Sequence, residues 1–416
     1  MRVFKFGGAS VKDADGVKNL ARVLKTTGYD NTLVVVSAMG KTTNAMELVI
    51  KNYFENKSEL QSSIHEVIKY HNEILLDLFE NERHQVFSDV RAFFDELAVF
   101  FKSNKSPDYN YVYDQTIGFG ELISTTIISH YLKEIGLKNK WIDVRELIKT
   151  DNYYRRSNVN WEQTQENIAS IFNPSILNIT QGFLGSDANN FTTTLGREGS
   201  DYTAAIFAYC LNANSVTIWK DVPGVLNADP RYFENAQLLH QISYREAIEL
   251  AFYGASVIHP KTLQPLQQKE IPLYVKSFLN PKAEGTCVSK GKALEPEIPC
   301  FIVKKNQTLI SLSSLDFSYI VEENISEIFS LLHLYKMKVD VIQNSAISFS
   351  VCIDNLYNNL EKLLQHLKAK FKVTCHNNVS LYTIRHYNDA AIKDLEKDKT
   401  VLLKQLAQGT VQIVTK

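Results

Sequence analysis

Thr193-Thr194-Leu195-Gly196-Arg197-Glu198-Gly199-Ser200-Asp201-Tyr202-Thr203 leads into the apolar run Ala204-Ala205-Ile206-Phe207-Ala208. Glycines, hydroxyls, an arginine and an aspartate crowd a turn that opens what reads as a helix. Such a turn points backbone N–H groups at an anion, and the helix dipole adds a favourable field there. A plain helix start capped by Ser200 or Asp201 would have the same composition. The anion-binding reading gains weight because related turns recur at the start of the chain and near its middle.

The first of these is Val3-Phe4-Lys5-Phe6-Gly7-Gly8-Ala9-Ser10. Alternation over Val3 to Phe6 predicts a strand, and the glycine pair permits a tight turn with close backbone approach to a ligand. Val17, Leu20, Val23 and Leu24 follow at helical spacing. Lys5 thus stands at a strand end whose loop can cradle phosphates, although a solvated edge lysine would read the same way. The second is Val216-Thr217-Ile218-Trp219-Lys220-Asp221-Val222-Pro223-Gly224-Val225, followed by Ala228-Asp229-Pro230-Arg231. A β-branched run ends at Asp221 and passes through Pro-Gly turn chemistry. Asp221 could touch ribose, a cation or substrate, and Arg231 could neutralise phosphate oxygens through its fork. Gly40-Lys41-Thr42 imitates the end of a P-loop, but that motif needs glycine where Val35 stands. The absence of G-x-G-x-x-G removes support for a dinucleotide fold.

These stretches together resemble the aspartate kinases of the amino-acid kinase superfamily. Lys5 to Ser10 resembles the family's KFGGTS, and Thr193 to Thr203 resembles TTLGRGGSDYT. Trp219 to Arg231 is similar to WTDVDGxxxxDPR, Phe252 to Thr262 to FGAKVLHPRT, and Gly118 to Ser124 to FGERLS. Ser37-Ala38 through Thr43-Asn44 resembles the substrate-side loop SAxxxxTN. The matches keep the family's order over the first two-thirds of the chain.

The resemblance implies ATP-dependent phosphorylation of the side-chain carboxylate of L-aspartate, the first step towards lysine, threonine and methionine. Positioning and charge neutralisation dominate such chemistry, because two anions must meet. It implies Lys5 on the transferring phosphoryl group and Asp201 orienting Lys5 or a metal-bound water. Gly7, Gly8, Ser10, Lys220, Asp221 and Arg231 fall on the nucleotide side. Ser37, Thr43 and Ser200 line the acceptor site, with Arg197 for the α-carboxylate and Glu121 for the α-ammonium. Mg²⁺ is expected on the nucleotide, with no metal site built by the protein itself. Alternatives are a kinase of another acidic amino acid and a non-catalytic amino-acid sensor. Ala9, Glu198, Leu226 and Ser256 depart from the family pattern. Glu198 replaces a glycine and adds negative charge beside an anion site, which disfavours binding unless it points to solvent. Ser256 replaces a lysine that reaches phosphate in relatives, and Lys220 could restore that charge.

A chain of 416 residues with 44% hydrophobic residues can bury more than one core. The net charge of −1 offers nothing for nucleic acid, and no apolar stretch is long enough to cross a bilayer. Five scattered cysteines suit a reducing compartment, so a cytoplasmic location is expected. Strands alternating with helices predict an α/β domain with a mainly parallel sheet sandwiched by helices. Its expected extent is 1–285, with a helical lid-like region at 44–104, and a linker covers 286–300. Residues 301–416 resemble a smaller α+β, ferredoxin-like ACT region whose second module is abbreviated, with one helical segment and one strand after Ile384. The family analogy implies a homodimer through this region. Gln343 to Ser348 aligns with the effector-binding TTSEVS, where Ala346 replaces the acidic residue. Weak or absent inhibition by lysine follows, because a buried ammonium without a partner is costly.

Overall fold

The computed structural model describes residues 1–416 except Ser256, Val257 and Phe317. The chain forms two compact units, one of Met1–Val225, Leu238–Ile248 and Ile258–Leu294, the other of Leu226–Gln237, Glu249–Val257 and Glu295–Lys416.

The strands of the first unit are β1 (Arg2–Phe6), β2 (Thr32–Val36), β3 (Asn139–Ile142), β4 (Leu177–Gln181), β5 (Leu184–Ser186), β6 (Thr192–Thr194), β7 (Ser215–Lys220), β8 (Gln241–Ser243), β9 (Leu273–Ser277) and β10 (Thr286–Ser289). Eight of them form a sheet in the order β3-β4-β2-β1-β7-β9-β10-β8. Pairing is parallel from β3 through to β9, antiparallel between β9 and β10, and parallel again between β10 and β8. The apolar run Leu33–Val36 is buried throughout, as a central parallel strand covered on both faces must be. β5 and β6 pair separately as an antiparallel hairpin. The segment expected as a lid folds into the helices Thr42–Glu55, Leu60–Leu78 and Gln85–Ser103. Ser243 Oγ accepts the amide of Glu246 at 3.0 Å and caps the start of the helix Tyr244–Tyr253. The linker reading needs correction at its start: Thr286–Ser289 is strand β10, hydrogen-bonded to β8 and β9. Its alternating burial, Thr286 and Val288 inward, was hidden in the sequence by the flanking glycine and lysine turns.

In the second unit β11 (Cys300–Ser313), β12 (Lys338–Asn344), β13 (Ser348–Asp354), β14 (Lys372–Arg385), β15 (Val401–Ala407) and β16 (Thr410–Thr415) form an antiparallel sheet, ordered β12-β13-β11-β14-β16-β15. β11 and β14 are each 14 residues long and pair along most of their length, with register shifts between Lys304 and Leu309. Each therefore serves two ferredoxin-like modules. The module containing Thr308–Ser313 carries the helices Glu322–Leu334 and Leu360–Lys368 over a core that includes Ile310, Ile328, Phe349 and Leu363. The other carries the helix Asp389–Glu396, with Ile384, Ile392, Leu395 and Val411 in its core. Phe233, from the segment 226–237, packs against that core. The abbreviated module gains strand β15, which the sequence reading missed: Lys404 and Gln405 interrupt the apolar alternation.

Candidate active site

The C-terminal ends of β1, β2 and β7 meet the N-termini of three helices in the first unit, and a cleft of about 460 Å³ opens there. In open parallel sheets this is where ligands bind. Lys5 precedes the last residue of β1. Its Nζ lies 2.7 Å from Oδ1 of Asp201, in the first turn of the helix Gly199–Cys210, and both side chains are about nine-tenths buried. The pair joins a strand end to a helix N-terminus, so the charges meet where the helix dipole favours an anion. Gly8 is fixed by close approach: a Cβ there would sit 2.7 Å from the carbonyl oxygen of Gly40 and 2.8 Å from that of Ala38. Only glycine lets these two loops lie together.

Ser37, Thr43, Glu121, Arg197, Ser200, Asp201 and Lys220 line the same cleft as Lys5. Glu121 lies in the first turn of the helix Phe119–Glu134 and is 3% exposed, and its Oε2 is buried without a hydrogen-bond partner among the described residues. Burial pushes this carboxyl up to about 8, against backbone hydrogen bonds at Glu121 and Ala38. Ser124 Oγ donates to the carbonyl of Ser37 at 2.8 Å and ties this helix to the loop after β2. Ser10, Asp221 and Arg231 are placed differently. The Ser10 hydroxyl is buried and donates to the carbonyl of Trp219 at 3.2 Å, where it joins β1 to β7. Asp221 is exposed just past β7. Arg231 belongs to the second unit, exposed and paired with Asp229 at 2.6 Å, and that partner holds the Asp229 carboxyl below its ordinary value. Ser256 lies outside the described residues.

Sequence reading missed Arg155, Tyr113 and Phe183, which also line the cleft. Arg155 is left-handed (φ 70°) and its guanidinium stacks over Tyr113 at 4.4 Å. Its amide donates to both carboxylate oxygens of Asp114 at 3.0 Å, and the amide and hydroxyl of Thr194 donate to the same carboxylate at 2.8 and 2.9 Å. Burial nevertheless pushes Asp114 up to about 6. One buried carboxyl thus fixes the Arg155 backbone to the strand that feeds the glycine-rich turn. Lys261 holds that turn from another side: Nζ donates to the carbonyl of Leu195 at 3.2 Å and stands 4.8 Å over the Tyr202 ring. No glycine or proline marks residues 151–157, so their approach to the cleft left no sequence signal.

The model of the amino acid kinase family matches residues 1–277. Lysine-sensitive aspartokinase 3 of Escherichia coli (strain K12) is 31% identical over 400 residues, covering 92% of this chain and 86% of that protein. The chain belongs to the amino acid kinase family, among its aspartokinases. Aspartokinase 1, chloroplastic, of Arabidopsis thaliana is 33% identical over 374 residues, 85% of this chain and 63% of the relative. Among solved aspartokinases, E. coli aspartokinase III in complex with lysine and aspartate has a TM-score of 0.83 at 28% identity, covering 100% of this chain and 95% of that one. The same protein in complex with aspartate and ADP gives 0.79 at 27% identity, covering 100% and 96%. The expected α/β kinase fold followed by a ferredoxin-like region is thereby shown. Among the described residues no helix is long and apolar enough to cross a membrane.

Proposed function

We propose that the chain transfers the γ-phosphoryl group of ATP to the side-chain carboxylate of L-aspartate, giving 4-phospho-L-aspartate and ADP. The observation that carries this is the Lys5–Asp201 pair at a helix N-terminus, in one cleft with the buried Glu121 and with Arg197. A carboxylate oxygen of the acceptor attacks the γ-phosphorus while the bond to the β,γ-bridging oxygen breaks. No proton moves, because the nucleophile is already ionised, so the protein's task is to hold and neutralise. Lys5 takes charge developing on the transferring group, and Asp201 fixes the ammonium in place. Arg197 presents a fork to the α-carboxylate, and Glu121 accepts from the α-ammonium. Lys220 serves the nucleotide side, with Gly7 and Gly8 supplying backbone N–H groups.

No group of three acidic, histidine or cysteine side chains able to hold a metal occurs among the described residues. A Mg²⁺ would ride on the phosphates, with Asp201, beside Lys5 in the cleft, able to orient it, and it would neutralise phosphoryl charge. Residues 1–285 would form the kinase domain and 301–416 an ACT-like region, assembled as a homodimer in the cytoplasm. Exposed Leu315, Tyr319, Ile342 and Ile347 on the second unit support an interface there. ADP release with Mg²⁺-ATP, compared for L-aspartate, L-glutamate and no acceptor, with hydroxylamine trapping of the acyl phosphate, tests the reading. Aspartate-dependent hydroxamate is the expected result; silence with every acceptor in folded protein would overturn it in favour of a sensor.

A further inference from the structure

Glu198 stands at the lip of the helix Gly199–Cys210 with a left-handed backbone (φ 53°), a conformation that favours glycine and is costly for most other residues. Its side chain makes no capping hydrogen bond to the helix it precedes, so the acid is not there as an N-cap. Nor does it escape to solvent. It is half-buried, lines the cleft, and its Oε2 is buried without a hydrogen-bond partner among the described residues. A buried carboxylate oxygen without a partner is a net cost to the folded state. Glu198 thus carries two penalties in the one place where its charge opposes an anion site. Backbone strain of this kind persists where function over-determines it, and Arg155 (φ 70°) and Phe183 (φ 72°) line the same cleft in the same backbone region.

A cation supplied by the ligand would relieve the second penalty. The cleft already offers Arg155, Arg197, Lys5 and Lys220 to anionic groups. Toward a cation it offers two carboxylate oxygens without a partner among the described residues, Glu121 Oε2 and Glu198 Oε2, since Lys5 takes Asp201 Oδ1. Glu121 is fully enclosed, and burial raises the cost of ionising it. An α-ammonium has three N–H donors, enough in number for both oxygens. We infer that Glu198 is a specificity-determining residue of this chain, accepting from the α-ammonium of the amino-acid acceptor together with Glu121. This deepens the proposed kinase reading and rests on it. A glycine at this position, as in the family pattern, leaves the ammonium to Glu121; here the pocket discriminates more strongly against dicarboxylates that lack an α-amino group.

The test compares L-aspartate with succinate, the same dicarboxylate without the ammonium, by calorimetric binding and as substrate and competitor, in the wild type, Glu198→Gln and Glu198→Gly. The expected result is a fall of tenfold or more in the aspartate-to-succinate affinity ratio in both variants. KM for aspartate should rise more than KM for ATP. Glu198→Gly also relieves the backbone, so thermal stability should hold or rise, which separates lost recognition from lost folding. An unchanged ratio in variants that still phosphorylate aspartate overturns the role of Glu198 and leaves the kinase reading intact. Wild-type protein that neither binds nor phosphorylates aspartate overturns the kinase reading itself.

Discussion

Replacing Glu121 by Gln should stabilise the free protein and weaken it as an enzyme. The carboxyl is 3% exposed, and one of its oxygens lacks a partner among the described residues. It titrates at about 8 when folded, against 4.5 ordinarily, because burial penalises its charged form. Between those values the folded state keeps a proton that the unfolded state has already released. Stability therefore falls as pH rises through the window from 4.5 to 8 and levels off above it. Below 4.5 both states are protonated and the contribution vanishes. At about 1.36 kcal/mol per pH unit, the loss above pH 8 is at most ~5 kcal/mol, and water penetration and relaxation will reduce it. Gln keeps the shape and does not titrate. The wild-type-to-variant difference thus isolates this group from every other titration.

Scanning calorimetry of the two proteins from pH 5 to pH 9 reads the effect directly. The Tm advantage of Glu121→Gln should be small at pH 5 and grow to several degrees at pH 9. Aspartate binding supplies a second readout. Its ammonium favours the ionised carboxyl, so binding near pH 7 should expel nearly one proton into the buffer. Titrations in buffers of different ionisation heat count that proton. The variant should release none and should bind aspartate tenfold or more weakly, since a charge-assisted hydrogen bond is lost. A pH-independent Tm difference would refute the desolvation argument, and unchanged affinity would refute the contact with the ammonium.

Lys5→Met should lower turnover by at least ~100-fold with folding intact, as steady-state kinetics and circular dichroism would show, because a preorganised charge on the transferring group is removed. Arg197→Lys should raise KM for aspartate well above its effect on KM for ATP, since a point charge cannot replace a fork. Asp114→Ala removes the acceptor of the Arg155 and Thr194 amides and should cost on the order of 3 kcal/mol in chemical denaturation, with faster hydrogen exchange at residues 151–157. L-Lysine should inhibit weakly in initial-rate assays, because Ala346, exposed between β12 and β13, offers its ammonium no charge.

The parts of the site legible in the sequence are those where backbone geometry demands a particular residue. Gly8 is readable because two carbonyl oxygens leave no room for a Cβ. The turn at 194–203 is readable because it must be short and must present N–H groups. Lys5, Asp201 and Arg197 stand in or beside those turns, Glu121 was legible only through the family resemblance of Gly118 to Ser124, and all four line the cleft. Arg155 and Tyr113 were not found, since they enter from a loop without punctuation and a helix whose relevant contact is a buried carboxyl 41 residues from its partner. Arg231 reads as a fork for phosphate oxygens, and in the structure that fork lies on the adjacent Asp229. In the second unit the single helix of one module was legible. What packs beside it, Phe233 from a segment nearly 70 residues upstream of β11, was not.

Strain and desolvation in this cleft point the same way. Arg155, Phe183 and Glu198 hold left-handed backbones, and Glu121 and Glu198 each keep a carboxylate oxygen out of water with no hydrogen-bond partner among the described residues. Each lowers the stability of the free protein. A core built for stability alone would replace them with glycine and with apolar side chains. They can persist because neighbouring structure fixes them: Asp114 pins the Arg155 amide, Lys261 grips Leu195, and Ser124 holds the loop at Ser37. A zwitterionic dicarboxylate supplies the complementary charges that the cleft lacks, so binding should release part of the stored cost. The prepaid desolvation then appears as discrimination. A ligand missing its ammonium or one carboxylate leaves a buried charge unpaired, and the penalty falls on that ligand instead of on the correct one.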